Sequence, residues 1–215
     1  VITGGADGNR DWVTLRNYRD DMGLNADINI RTHDISTLGL WGPTAKDALG
    51  HFVDPSEISI ENFPFVGTKN LTLNLSGGKK VDVWAARISY VGESGWELYL
   101  NNDAEEGLAL YDSLLEVGVV PVGIETYANS RRLEKSFRLQ GADLETEYNA
   151  CESAVERPKV KEADFHGKEA HLAHREEEAC AILCTMTLDN LDISGNGSRY
   201  PVGISPIIDP ETGEV

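Results

Sequence analysis

The 215-residue chain is short of cysteine, of methionine and of positive charge. Its three cysteines, Cys151, Cys180 and Cys184, are too few and odd in number for a disulfide framework. Cys180 and Cys184 bracket an apolar, strand-like run, which predicts reduced, buried thiols acting as small hydrophobes. A Cys-x3-Cys pair with His171 and His174 does not match zinc-ligand spacing, and both histidines fall in a charged helical stretch, so no metal site is expected. No apolar run approaches the ~20 residues a membrane helix needs. Lysine and arginine total 19 against 36 aspartates and glutamates, a net charge of −17. A field of that sign repels phosphate backbones and speaks against nucleic acid as partner. It fits a solubility device or a high-salt habitat and assigns no function. No Ser or Cys nucleophile is paired with a base, so hydrolase triads are not supported.

What remains is an ordinary globular composition, 40% hydrophobic and 26% charged. Residues 9–22 place Trp12, Leu15, Tyr18 and Met22 at helical spacing. DINI (27–30) and ISTLGLW (35–41) read as strands, and Gly42-Pro43 then opens a helix over 44–52. FPFVG (63–67), NLTLNL (70–75), KVDVWAARISY (80–90) and GWELYL (95–100) read as strands, with Gly77-Gly78 as a hairpin signal. Helices follow at 104–118, closed by Gly118, and at 125–137. This order predicts an α+β fold with a largely antiparallel sheet. The stretch from Glu156 to Glu178 is charged and poor in aliphatics, a surface connection carrying one helix. Strands are expected again in 180–190 and 200–208. A boundary is placed near residue 175. The chain starts at Val1 and ends PETGEV, and is read as an internal piece of a longer protein.

One stretch raises a chemical question. In ISYVGESGWELYL (88–100), strand alternation sets Trp96, Leu98 and Leu100 on one face and Glu97 and Tyr99 on the other. A solvated outer face would account for Glu97, and so would a cavity. Arg131 and Arg132 open an RRLEK stretch, where the plain reading is a helix face pairing with Glu134 or Glu125. His33 and His51 read as surface or packed residues.

LGLWGPTAKDAL, ISYVGESGWELYL, PVGIETYANSRRLEKSF, GADLETEYNACESAVER and ADFHGKEA stand in the order and spacing of the glycine-cleavage T-protein superfamily, which the chain resembles along its whole length. The group includes aminomethyltransferases and the folate-binding halves of dimethylglycine and sarcosine dehydrogenases. The resemblance implies residues 1–175 as the central part of a folate-binding domain and 176–215 as the start of a C-terminal β-barrel. It implies tetrahydrofolate as cofactor, held by Glu97 and Tyr90 at the pterin, with Arg132 at the matched Arg-Leu-Glu position for the folate tail. Thr3 falls near a ligand-touching Asn of many relatives; as a plain reading it is a strand-end Thr. The family's catalytic aspartate lies upstream of the region matching Val1, so no catalytic residue is assigned here. Tyr127-Ala128-Asn129 departs from the Ala-Arg-Asp of the transferases.

A pterin offers a ring N–H beside an amino group, two parallel donors that suit a carboxylate walled by apolar and aromatic groups. The implied activity is transfer of an aminomethyl or iminium-derived one-carbon unit, giving methylene-tetrahydrofolate. Three versions follow: a dehydrogenase-type enzyme with FAD in an upstream domain, which the RRLEKSFR and GADLETEYN segments favour; a free-standing transferase fed by a lipoyl arm; and a non-catalytic folate-binding relative. The partners implied are a methylated amine or a lipoyl-carried aminomethyl group, with an upstream flavin domain or other subunits. The expected location is the cytoplasm, or the mitochondrial matrix in a eukaryote.

Overall fold

The structure, a computed structural model, describes residues 1–156, 159–177, 181–187 and 206–215. The chain divides into two compact units, Val1–Leu183 and Cys184–Val215.

The first unit is built on four strands, β1 (Ile35–Trp41), β2 (Thr68–Asn74), β3 (Lys80–Ala86) and β4 (Gly95–Asn101). They pair antiparallel in the order β1-β4-β3-β2. Alternation decides the two faces. Leu71 and Leu73 of β2, Val81, Val83 and Ala85 of β3, and Trp96, Leu98 and Leu100 of β4 are all buried on one side. Onto that face pack Ala45 and Leu49 of α2 (Ala45–Leu49) and Leu110 and Leu114 of α3 (Ala104–Glu116), with Phe52, Ile58 and Phe63 from the connecting loop. Each fully buried side chain of this size contributes roughly 1.5–3 kcal/mol. Asp103 caps α3, accepting from the N–H groups of Glu105 at 2.8 Å and Glu106 at 3.0 Å.

Arg87 ties the loop to the sheet. The residue is 9% exposed, and its guanidinium donates to the carbonyls of Phe63 at 2.7 Å, Ser59 at 3.3 Å and Ile58 at 3.4 Å and lies 5.1 Å from the Trp96 ring centre. The β2–β3 hairpin turns on Gly77 and Gly78, both at positive φ, where a Cβ would be strained.

Helix α1 (Gly8–Asp21) forms where helical spacing predicts it, but buries no residue: Tyr18 is 45% exposed and nearby Met22 58%. Two expectations are corrected. DINI pairs with no strand among the described residues. FPFVG is a turn, because Pro64 has no N–H for a ladder and Val66 sits at φ 65°; Phe63 reaches the core from a loop. The helix expected over 125–137 forms, wound as a π-helical turn, Thr126–Arg131, that runs into the short α4 (Arg132–Glu134), and Ser136 at φ 60° ends it early. The charged stretch carries α5 (Lys168–Arg175), with no buried residue.

In the second unit, Asp209 organises a turn: its side chain accepts from the Glu211 N–H at 2.7 Å, and its own N–H donates to the Glu214 carbonyl at 2.9 Å. Residues 181–187, spanning both units, and 206–208 form no strand, a further correction, and Cys184 is exposed. The rest of the strands expected over 180–190 and 200–208, with Cys180, lies outside the described residues. Among the described residues no helix is long and apolar enough to cross a membrane.

Candidate functional site

The chain leaves β3 at Ala86, loops through GESG and re-enters the sheet as β4. Trp96 is fully buried, so Glu97 stands on the opposite face and is only half-buried. Its cross-strand neighbours are Gly39 on β1 and Ala86 on β3. Neither can crowd it. Two residues along the same face, Tyr99 donates its phenol O–H to a Glu97 carboxylate oxygen, and the Tyr99 ring packs on Trp84 of β3 at 5.0 Å between centres.

The other wall of Glu97 is aromatic. The Trp41 indole folds back over Gly39, where a Cβ would stand 2.0 Å from the ring. Glycine there is what leaves room for the indole over this position. Trp41 donates from Nε1 to the Ile88 carbonyl at 3.0 Å and stacks on Tyr127 of the π turn at 5.2 Å and 25°. Tyr127 meets Tyr90 at 5.3 Å, and Tyr90 stacks on Phe137 at 6.0 Å while donating to the Arg138 carbonyl at 2.6 Å. Burial pushes the phenol of Tyr127 up from its ordinary value, and the charge of Glu97, with that of Tyr90 once ionised, pushes the same way. Tyr99 is pushed up further, first by burial and then by its bond to Glu97. Tyr90 is raised by burial, with Arg132 pulling it down and Asp143 pushing it up. A carboxylate thus sits between two groups of rings.

The two arginines separate. Arg131 bridges Glu93 and Glu134, each at 2.6 Å. Arg132 is 6% exposed and donates to the carbonyls of Ala128 at 2.6 Å and Phe137 at 3.1 Å and to the Asp143 carboxylate. Thr3 donates to Asp11 and, with Tyr99 and Trp84, lines a hollow of about 1080 Å³ over the outer face of the sheet. So the structure brings Glu97 and Tyr90 to one aromatic cluster through Tyr127, puts Thr3 and Tyr99 on the lining of one hollow, and sets Arg132 behind Tyr90. His33 and His51 are both exposed. No cluster of three metal-binding side chains occurs among the described residues.

Residues 1–158 match the GCVT N-terminal domain. The chain belongs to that family. It is 32% identical over 208 residues to the mitochondrial dimethylglycine dehydrogenase of Homo sapiens, covering 93% of this chain and 23% of that protein. An aminomethyltransferase of Herpetosiphon aurantiacus is 28% identical over 206 residues, covering 94% of this chain and 52% of that protein. A second, from Halothermothrix orenii, is 28% identical over 194 residues, covering 89% and 50%. The chain therefore spans about a quarter to a half of these relatives' lengths.

Within this GCVT domain, sequence reasoning missed Trp41 and Tyr127. Trp41 was visible only as the end of a strand run, and Tyr127 only as the first residue of the departure Tyr127-Ala128-Asn129. Their meeting depends on the π turn, a local widening often found at functional sites. Tyr99 was signalled by alternation but had no partner until the fold supplied Trp84.

Proposed function

We propose that this GCVT-domain chain binds tetrahydrofolate, with its pterin ring at Glu97. The observation that carries the reading is the Glu97 carboxylate, held by Tyr99 and set between the Trp41–Tyr127–Tyr90 rings and the Tyr99–Trp84 pair. A carboxylate accepts two parallel N–H donors, and flat aromatic walls exclude water from a flat ligand, so the donor set fits a pterin. Tetrahydrofolate, when bound, supplies a nucleophilic ring nitrogen that takes up a one-carbon unit to give methylene-tetrahydrofolate.

The residues of this chain contribute positioning. Glu97 fixes the edge of the ring system and Tyr90 lines its wall, which makes an otherwise bimolecular capture local. Arg132 contributes from behind that wall: by holding Ala128 and Phe137 it fixes the segment that carries Tyr127. Thr3 lines the hollow into which the rest of the ligand extends. We read 1–175 as the central part of the folate-binding domain and 176–215 as the start of a barrel domain.

We take the parent activity as tetrahydrofolate-dependent one-carbon transfer in a dimethylglycine dehydrogenase-like enzyme, supported by the 32% identity to the human protein. FAD would belong to a domain outside this sequence, and no residue here is assigned to it. The two aminomethyltransferases support a second reading, a transferase fed by a lipoyl-carried aminomethyl group. Tetrahydrofolate titrated calorimetrically into wild type and Glu97→Gln tests the site. The variant turns one acceptor into a donor facing a donor, and affinity is expected to fall on the order of thirtyfold or more. Equal affinities overturn the reading.

A further inference from the structure

We infer that Tyr99 is a positioning residue of this site, acting on the ligand through Glu97. The inference rests on the folate reading of Glu97. Among the described residues, Tyr99 supplies the one hydrogen bond to the Glu97 carboxylate. Gly39 and Ala86 flank Glu97 on both neighbouring strands and bring no side-chain donor. A glutamate whose neighbours offer it no other donor has several rotamers open to it, and fixing one costs up to ~2 kcal/mol of side-chain entropy. Tyr99 removes that freedom before a ligand arrives.

Tyr99 is itself fixed. It sits opposite Thr37 on β1 and Trp84 on β3, and its ring packs on the Trp84 indole. The order of support runs from Trp84 to Tyr99 to Glu97. Burial and the neighbouring carboxylate keep the phenol protonated well above ordinary pH, so the donor is always present. With one oxygen engaged by Tyr99, the other is left to face the ligand.

The test is a double-mutant cycle on this chain, titrating tetrahydrofolate into wild type, Tyr99→Phe, Glu97→Gln and the double variant. Phe keeps the ring against Trp84, and a melting temperature within a few degrees of wild type shows that each variant folds. Losing a hydrogen bond to a charged group should weaken binding in Tyr99→Phe about tenfold or more. In the Glu97→Gln background the same change should move affinity less than about twofold, because the residue through which Tyr99 acts is already altered. Equal losses in both backgrounds mean a general packing role and overturn the inference. So does an unchanged Tyr99→Phe affinity alongside a weakened Glu97→Gln. If Glu97→Gln matches wild type, or wild type does not bind, the folate reading itself fails, and the inference with it.

Discussion

Arg132 and Asp143 form an ion pair in which the arginine is almost sealed from solvent and the carboxylate also accepts the Leu139 N–H at 2.9 Å. With the Ala128 and Phe137 carbonyls, this guanidinium closes the segment from the π turn to Asp143 into one hydrogen-bonded piece. Arg132→Met would take the guanidinium from two carbonyls and leave the buried side of the Asp143 carboxylate with the Leu139 N–H alone. Unfolding free energy from urea melts should fall by about 3 kcal/mol or more. Arg132→Lys should recover little, since an ammonium cannot reproduce the planar fork. A loss under about 0.5 kcal/mol would mark the pair as ordinary surface charge.

Stability should fall on the alkaline side. Tyr90, Tyr99 and Tyr127 are all held above the usual phenol value near 10, burial being the first cause in each. In the unfolded chain these phenols lose their protons near pH 10, while in the folded chain they keep them. The unfolded state then binds fewer protons, so stability is fully present below about pH 10 and declines as pH rises through the folded values. Melting temperatures from about pH 9 to pH 11.5 should drop for wild type and drop less for Tyr99→Phe. Parallel curves would count against the assignment.

Gly39→Ala should disturb Trp41 and leave the sheet register alone. The new Cβ would stand 2.0 Å from the indole, which would have to abandon its bond to Ile88 and its stack on Tyr127. Overpacking of this kind costs about 1–3 kcal/mol. Tryptophan emission and near-ultraviolet circular dichroism should change in the folded variant. An unaltered spectrum would mean that the indole has another place to go.

Salt should stabilise the protein. The net charge of −17 makes the compact state repel itself. The exposed ion pairs, such as Arg31–Asp34 and Lys79–Glu105, are individually worth little. Between 0.1 M and 1 M salt the Debye length shrinks from ~10 Å to ~3 Å, and the melting temperature should rise. A flat or falling curve would mean that local pairs dominate.

The strands that formed were readable because their alternation is itself the burial pattern: Leu71, Leu73, Val81 and Val83 lie inward at every second position. DINI carries the same signal but finds no partner strand among the described residues, and pairing is a tertiary event that local pattern does not encode. FPFVG was misread because a loop can bury a Phe as well as a strand can. At the candidate site, Glu97 and Tyr90 were singled out by a local motif. Trp41 and Tyr127 were not, since their contact joins segments far apart in sequence and depends on how the π turn winds. Arg132 was legible as a charge, and its burial became visible only with its partners.

The line of rings from Trp41 through Tyr127 and Tyr90 to Phe137 also bears on what kind of molecule the site can hold tightly. Each ring has two rotatable side-chain bonds, and each is braced by the next. A visitor arriving beside Glu97 arrests little further motion in the protein, so most of the order lost on association is the visitor's own. Such a wall discriminates by stiffness. A rigid fused-ring compound surrenders almost nothing on docking there, whereas a floppy chain of the same polarity surrenders its internal freedom at every bond.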